Sequence, residues 1–248
     1  MTAIEVTREG GVQTVRMNRA EKKNALTGAM YQAMADALAG GEVDDAVGAH
    51  LILGTPGAFS AGNDIEDFLK FAITGELGSP VLAFLRALAT VRKPLVAGVD
   101  GLAIGVGTTM LFHCDMVVAS PRSTFKTPFV DLALVPEAGS SLIAPRIMGP
   151  HRAFEMLCAG LPFEAARAEM AGFVNRVVSE AEVEPTARAL AAGLAKKPRE
   201  ALRLSRQLVR GNPADVLARI DEEAEAFKAR LKSDEARAAF MAFMARKA

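Results

Sequence analysis

Lys93-Pro-Leu-Val-Ala-Gly-Val-Asp-Gly-Leu-Ala-Ile-Gly-Val-Gly-Thr-Thr-Met-Leu-Phe-His-Cys-Asp115 holds a strand, a turn and a helix in 23 residues. Leu95 to Val99 is an uninterrupted apolar run, the pattern of a buried strand. Lys93-Pro94 ends the helix read over Pro80 to Val91, because proline disfavours helical backbone at the residue before it. Gly101 to Gly107 is a Gly-rich turn. Thr108 to Phe112 then reads as a short apolar helix, and Met116 to Ala119 as the next strand. Strand, glycines, helix and strand in this order is the grammar of an α/β protein.

The same grammar extends in both directions. Upstream, Ile4 to Arg8 and Val12 to Met17 alternate apolar and polar residues about Gly10-Gly11 and predict a β-hairpin. A polar, basic loop from Asn18 to Leu26 precedes a helix over Thr27 to Leu38, with Met30, Ala33, Met34 and Leu38 on one side. Ala49 to Leu53 is a short buried strand. Phe59-Ser-Ala-Gly-Asn-Asp64 is a tight turn into a helix that Asp64 caps and that runs through Phe68 and Phe71. Downstream of Ser140 the pattern is helical, with Val174 to Val178 as the exception.

Composition limits the function classes. The 248 residues are 50% apolar, and 29 Lys+Arg balance 29 Asp+Glu. No overall field draws the chain to nucleic acid or to an anionic membrane. No apolar run approaches the roughly 20 residues of a membrane span. Glu5 and Arg8 interrupt the N-terminus, so a cytoplasmic protein with Cys114 and Cys158 as reduced thiols is expected. Three His and two scattered Cys offer little to a metal, and none is expected.

Candidate chemistry concentrates in three places. Ser60-Ala-Gly-Asn63 and Ile104-Gly-Val-Gly107 share one form: glycines at a helix start, where unpaired N–H groups can be approached closely. Two such N–H groups converging on one point make an oxyanion hole. The third place is Leu132-Ala-Leu-Val-Pro-Glu-Ala-Gly-Ser141, where Glu137 sits between an apolar run and a helix beginning at Gly139-Ser140-Ser141. A carboxylate in apolar surroundings has its charged form disfavoured, which moves its pKa toward the range useful for proton transfer. A helix-capping role for Glu137 is the alternative. Other motifs fit poorly. Gly105-Val-Gly107 lacks the third small residue of a dinucleotide fingerprint, where Met110 stands. Ala58-Phe-Ser-Ala-Gly62 is a near match to a hydrolase nucleophile elbow, with His113 or His151 as base, but its first glycine is replaced by Ala58.

Taken together, Asn18-Arg19 with Asn24-Ala-Leu26, Phe59-Ser-Ala-Gly-Asn-Asp-Ile65, Lys93 to Gly101 running on to Cys114-Asp115, and Pro136-Glu-Ala-Gly139 resemble the crotonase (enoyl-CoA hydratase/isomerase) superfamily over nearly the whole chain. The resemblance implies a spiral of ββα units (residues 1–190) and a helical C-terminal trimerisation region (191–248). It also implies assembly as trimers or hexamers, and an acyl-CoA thioester as substrate, with coenzyme A entering only as part of that substrate. By position, the N–H groups of Asn63 and Val106 form the oxyanion hole. Lys22, Lys23, Ala25, Leu26, Ala61, Gly62, Asp64, Ile65, Gly105, Phe129 and Lys247 are the implied CoA and substrate contacts.

The departures narrow the activity. Typical hydratases of this superfamily carry two acids, at the positions where this chain has Thr109 and Phe129. Glu137 stands where they usually have glycine. Thr127-Pro-Phe129 with Pro136-Glu-Ala-Gly-Ser-Ser141 resembles the Δ3,Δ2-enoyl-CoA isomerase branch, which implies a 1,3-proton shift with Glu137 as sole base. A hydratase is the enzymatic alternative, and it needs Glu66 or Asp131 to reach the pocket. A non-catalytic acyl-CoA or RNA binder is the alternative from another class, and the zero net charge argues against RNA.

Overall fold

The computed structural model describes residues 2–64, 66, 67 and 78–245. The helix expected through Phe68 and Phe71, together with Ile65 and Lys247, lies outside the described residues. The strands are β1 (Ile4–Glu9), β2 (Val12–Met17), β3 (Ala49–Leu53), β4 (Ala58–Ser60), β5 (Leu95–Val99), β6 (Leu102–Ile104), β7 (Met116–Ala119), β8 (Thr124–Lys126), β9 (Phe163–Glu164) and β10 (Arg176–Val177). The helices are α1 (Gly28–Val43), α2 (Ser79–Thr90), α3 (Val106–Thr109), α4 (Ser140–Met148), α5 (Pro150–Leu157), α6 (Ala165–Ala171), α7 (Glu180–Ala195), α8 (Arg199–Arg210), α9 (Pro213–Leu231) and α10 (Asp234–Ala245).

The strands form two sheets, in the orders β1-β2-β3-β5-β7-β10 and β4-β6-β8-β9. Three successive ββ pairs, β3/β4, β5/β6 and β7/β8, each give their first strand to the large sheet and their second to the small one. This repetition is the spiral of ββα units that the resemblance implies. The hairpin β1/β2 is antiparallel, while β2, β3, β5 and β7 run parallel, with Ile52 opposite Ala97 and Ala97 opposite Val117. β3 and β5 are buried along their whole length, as parallel strands covered on both faces should be. On one face Ala49, Leu51, Leu53, Val96 and Val118 meet Ala187 and Ala191 of α7. On the other, Ile52 and Ala97 join the main core, which includes Met30, Tyr31 and Met34 of α1 and Phe84 and Leu88 of α2. Residue 190, the expected edge of the core region, falls within α7.

The second sheet is where the structure departs from the sequence expectation. β4 and β6 fall in stretches that the sequence marks as turns, and local pattern predicts neither β8 nor β9. Each has two or three residues, too few to display a period of two. Helix α1 also runs to Val43 rather than ending near Leu38. Gly40 and Gly41 weaken a helix locally, but the core needs the missing side chain: a Cβ on Gly41 would lie 2.4 Å from Cε1 of His50.

Beyond α7 the chain is helical. α8 is tied to the core through Asp115, whose carboxylate accepts from Nε of Arg206 at 2.8 and 2.9 Å and from Nε of Arg210 at 2.8 Å. Asp115 also accepts from the N–H of Leu95 at 2.8 Å. Asp115, the last residue of the opening stretch, is therefore a structural lock between β5, the start of β7 and α8.

Candidate active site

The Lys22–Leu26 loop and the turn after β4 lie side by side. The N–H of Ala61 donates to the Lys23 carbonyl (2.9 Å), that of Leu26 to Gly62 (2.8 Å), and that of Asp64 to Leu26 (2.9 Å). Leu26 and Asn63 thereby form a parallel bridge. In such a bridge Leu26 spends both its own backbone groups on residues 62 and 64, so the N–H of Asn63 points to the opposite side. What lies on that side of the turn is the second Gly-rich turn. Gly62 has φ +85°, and a Cβ there would sit 2.8 Å from the carbonyl oxygen of Ile104. A Cβ on Gly107 would sit 2.9 Å from the carbonyl oxygen of Ser60. Only glycine lets the two turns touch backbone to backbone. Val106 opens α3 with Gly105 as its N-cap, so its N–H has no earlier turn to bond. The structure brings together the two Gly-rich turns that carry the N–H groups of Asn63 and Val106.

The turn itself is braced by charge. Arg19 donates to the Ala25 carbonyl at 3.0 Å and to Oδ2 of Asp64 at 2.6 Å. Asp64 also accepts from the N–H of Glu66 at 2.9 Å. Burial raises the Asp64 pKa, and the Arg19 hydrogen bond and charge outweigh it, leaving the carboxyl below its ordinary range. Both oxygens of Asp64 are thus spent within the protein. Lys22 and Lys23 are exposed, and neither forms an ion pair among the described residues.

Glu137 is 6% exposed and accepts a 2.7 Å hydrogen bond from Oγ1 of Thr109 on Oε1. Thr109 is the last residue of the helix that Val106 begins, so one helical turn connects the acid to a candidate oxyanion donor. Burial pushes the Glu137 pKa up to about 7. Thr109 opposes that rise, and the charge of Glu223 adds to it. The segment around it is pinned from three sides: Arg230 donates to the Ala133 carbonyl (3.0 Å), His113 Nε2 to the Ala138 carbonyl (2.7 Å), and the Gly139 N–H to Glu223 (2.6 Å). These contacts hold Ala138 at φ 63°, a left-handed conformation that costs a non-glycine residue on the order of 1 kcal/mol. Glu223, from α9, also accepts from the N–H and hydroxyl of Ser141 at 3.0 and 2.5 Å. It is Glu223 that satisfies the start of α4, and Glu137 is left free of a capping role.

Among the described residues the buried carboxylates are Asp64, Glu137 and Glu223. Asp64 is ion-paired and Glu223 is spent on three donors. Only Glu137 keeps an oxygen, Oε2, without a protein partner. Phe129 is buried in the main core with Leu134 and Ala138. Glu66 and Asp131, the acids a hydratase would need, are both exposed, and Asp131 faces Lys126 at 3.2 Å. The nucleophile elbow does not form a hydrolase site. Ser60 is buried, donating to the Asn24 carbonyl at 2.9 Å, and His113 is engaged by Ala138.

Two participants escape the sequence reading. Tyr31 is fully buried in α1, and its hydroxyl donates to Oδ1 of Asn63 at 2.5 Å. Its spacing marks it as core, and nothing local shows its hydroxyl reaching residue 63. Glu223 belongs to a helix with acids at Asp221, Glu222, Glu223 and Glu225, and pattern alone does not say which one turns inward.

Two backbone donors beside a buried acid that is near half protonation at neutral pH can stabilise an enolate and move the proton that creates it. The chain belongs to the enoyl-CoA hydratase/isomerase family, whose sequence profile matches residues 7–248. It is 37% identical to enoyl-CoA delta isomerase 2 of Rattus norvegicus over 98% of its own length, and spans 64% of that protein. It is 34% identical to peroxisomal enoyl-CoA delta isomerase 3 of Mus musculus, covering 99% of this chain and 79% of the relative. The structure of Pseudomonas aeruginosa OdaA superposes with a TM-score of 0.94 at 41% identity, covering 98% of this chain and 99% of that one.

Proposed function

We propose that this chain isomerises 3-enoyl-CoA to 2-enoyl-CoA. Oε2 of Glu137 takes a proton from C2, which the thioester and the adjacent double bond together acidify. The electrons move to the thioester oxygen, giving a dienolate held by the N–H groups of Asn63 and Val106. Glu137, now protonated, returns the proton at C4, and the double bond rests between C2 and C3. One acid suffices because the proton leaves and returns on the same group. A donor of this kind is worth about 2.7–4 kcal/mol of barrier. A base titrating at about 7 combines a useful ionised fraction with useful basicity.

The observation that carries this reading is Glu137 as the buried carboxylate with a free oxygen. Hydration would need a second acid to hold and activate water, and the hydratase positions carry Thr109, which is spent on Glu137, and Phe129, which is apolar. The delta isomerase names of the mammalian relatives agree. Exposed Lys22 and Lys23, at the edge of the ladder containing Ala25, Leu26, Ala61 and Gly62, suit CoA phosphates. A homotrimer or a hexamer built from trimers is part of the same reading. It is supported by the solvent-facing apolar side chains Leu204, Leu208 and Val209 on α8. Among the described residues no helix is long and apolar enough to cross a membrane.

The test is Glu137→Gln assayed on 3-enoyl- and 2-enoyl-CoA substrates of several chain lengths, with product masses read. Isomers keep the substrate mass and hydration adds one water. The variant should bind CoA esters and lose the double-bond shift. Retained isomerisation, or a wild type that only adds water, would sink the proposal.

A further inference from the structure

The hydroxyl of Tyr31 is a buried polar group near the site that the proton shift leaves unused. Tyr31 lies in the first turns of α1, five residues after Leu26, whose backbone pairs with the Asn63 turn. Its ring packs against Phe84, with centroids 5.7 Å apart, so the ring cannot swing away without opening the core. Its hydroxyl donates to Oδ1 of Asn63 at 2.5 Å. Burial, and then the charge of Glu137, hold its pKa well above 10, so the phenol stays neutral and keeps the proton it donates.

Consider what the Asn63 turn would do without this contact. Gly62, with φ +85°, turns the chain here; its carbonyl is held by the Leu26 N–H at 2.8 Å, which fixes the Gly62–Asn63 peptide on one side, and what is left to shift is the Asn63 side chain and the Cα that carries it. A side chain clamped at its amide oxygen removes that freedom. An oxyanion donor works only if it is aimed before the charge develops.

We propose that Tyr31 is a positioning residue for the oxyanion hole, gripping the Asn63 side chain so that the Asn63 N–H stays directed at the thioester oxygen. This rests on the isomerase reading for its substrate but not for its readout, because any enolate at this site feels the same donor. A positioning role of this kind acts on the developing charge, so it changes kcat more than KM.

The experiment compares Tyr31→Phe with wild type in three measurements. With 3-enoyl-CoA, kcat should fall about tenfold, the scale of one hydrogen bond, with KM nearly unchanged. Octanoyl-CoA, which forms no enolate, should bind with unaltered affinity. 3-Ketooctanoyl-CoA, bound as its enolate and followed by enolate absorbance, should bind about tenfold more weakly. Asn63→Ala removes the other end of the contact, and the double variant should be no worse than the poorer single one. A general packing defect would weaken octanoyl-CoA as well and would overturn the proposal. So would wild-type kcat and enolate affinity in Tyr31→Phe. If Glu137→Gln remained an isomerase, the assignment of the base would fall, while enolate binding would still judge Tyr31 by itself.

Discussion

Replacing Glu137 by glutamine should make the protein more stable, and increasingly so as pH rises. The Glu137 carboxyl is buried and titrates at about 7 in the folded protein, against an ordinary 4.5. Between those values the folded chain holds a proton that the unfolded chain has released, so stability falls as pH rises through this window. Above about 7 the full cost is present, roughly 3 kcal/mol at about 1.4 kcal/mol per pH unit. Glutamine is neutral throughout, and its carbonyl oxygen can still accept from Thr109. Its amide N–H, facing the side where Oε2 has no partner, returns on the order of 1 kcal/mol of that gain. The variant should therefore match wild type near pH 5 and exceed it by about 2 kcal/mol at pH 8. Buried His113, whose pKa burial lowers to about 4, destabilises the fold on acidification over nearly the same range. It is present in both proteins and cancels in the difference. Urea unfolding at fixed protein concentration, from pH 5 to 8.5, measures the gap. A gap that does not widen with pH, or a variant less stable at pH 8, would refute the reasoning that Glu137 is a strained, desolvated acid.

Thr109→Val removes the hydrogen bond that favours ionised Glu137, so the acid limb of kcat/KM should move to higher pH by about one unit. A limb that stays put or moves down would count against it. Glu223→Gln should move the same limb the other way, because it removes a negative charge that raises the Glu137 pKa. It should also cost about 1–3 kcal/mol of stability, since one of the Gly139 and Ser141 N–H groups then faces an amide donor. Both limbs moving in one direction would contradict the electrostatics described here. Asp115→Asn leaves Arg206 without its acid, with a side chain only 10% exposed. It should cost about 3 kcal/mol or more in denaturant unfolding and expose α8 to proteolysis. An unchanged unfolding midpoint would show that the C-terminal helices are held by apolar packing alone.

Features written by local chemistry were legible in the chain. The hairpin over Ile4 to Met17, the strand over Leu95 to Val99, the two Gly-rich turns and the isolation of Glu137 after Pro136 all follow from period, proline and glycine within a few residues. The family motif was legible for the same reason, since its blocks are turns and helix starts with strict backbone demands. The second sheet was not, because strands of two or three residues owe their existence to neighbours in space. The far end of α1 was hidden because Gly40 and Gly41 argue locally against a helix, while His50 and Gln13 across the core require the smallness of Gly41. Residue 137 meets residue 109, residue 63 meets residue 31, and residues 139 and 141 meet residue 223 only through the folded chain. A sequence can show that a carboxylate is surrounded by apolar neighbours. Whether one of its oxygens is left unpaired depends on which distant side chains take the competing donors, and here Glu223 takes those of Gly139 and Ser141. Composition and local pattern therefore pointed to the acid, and the fold left one of its oxygens without a protein partner.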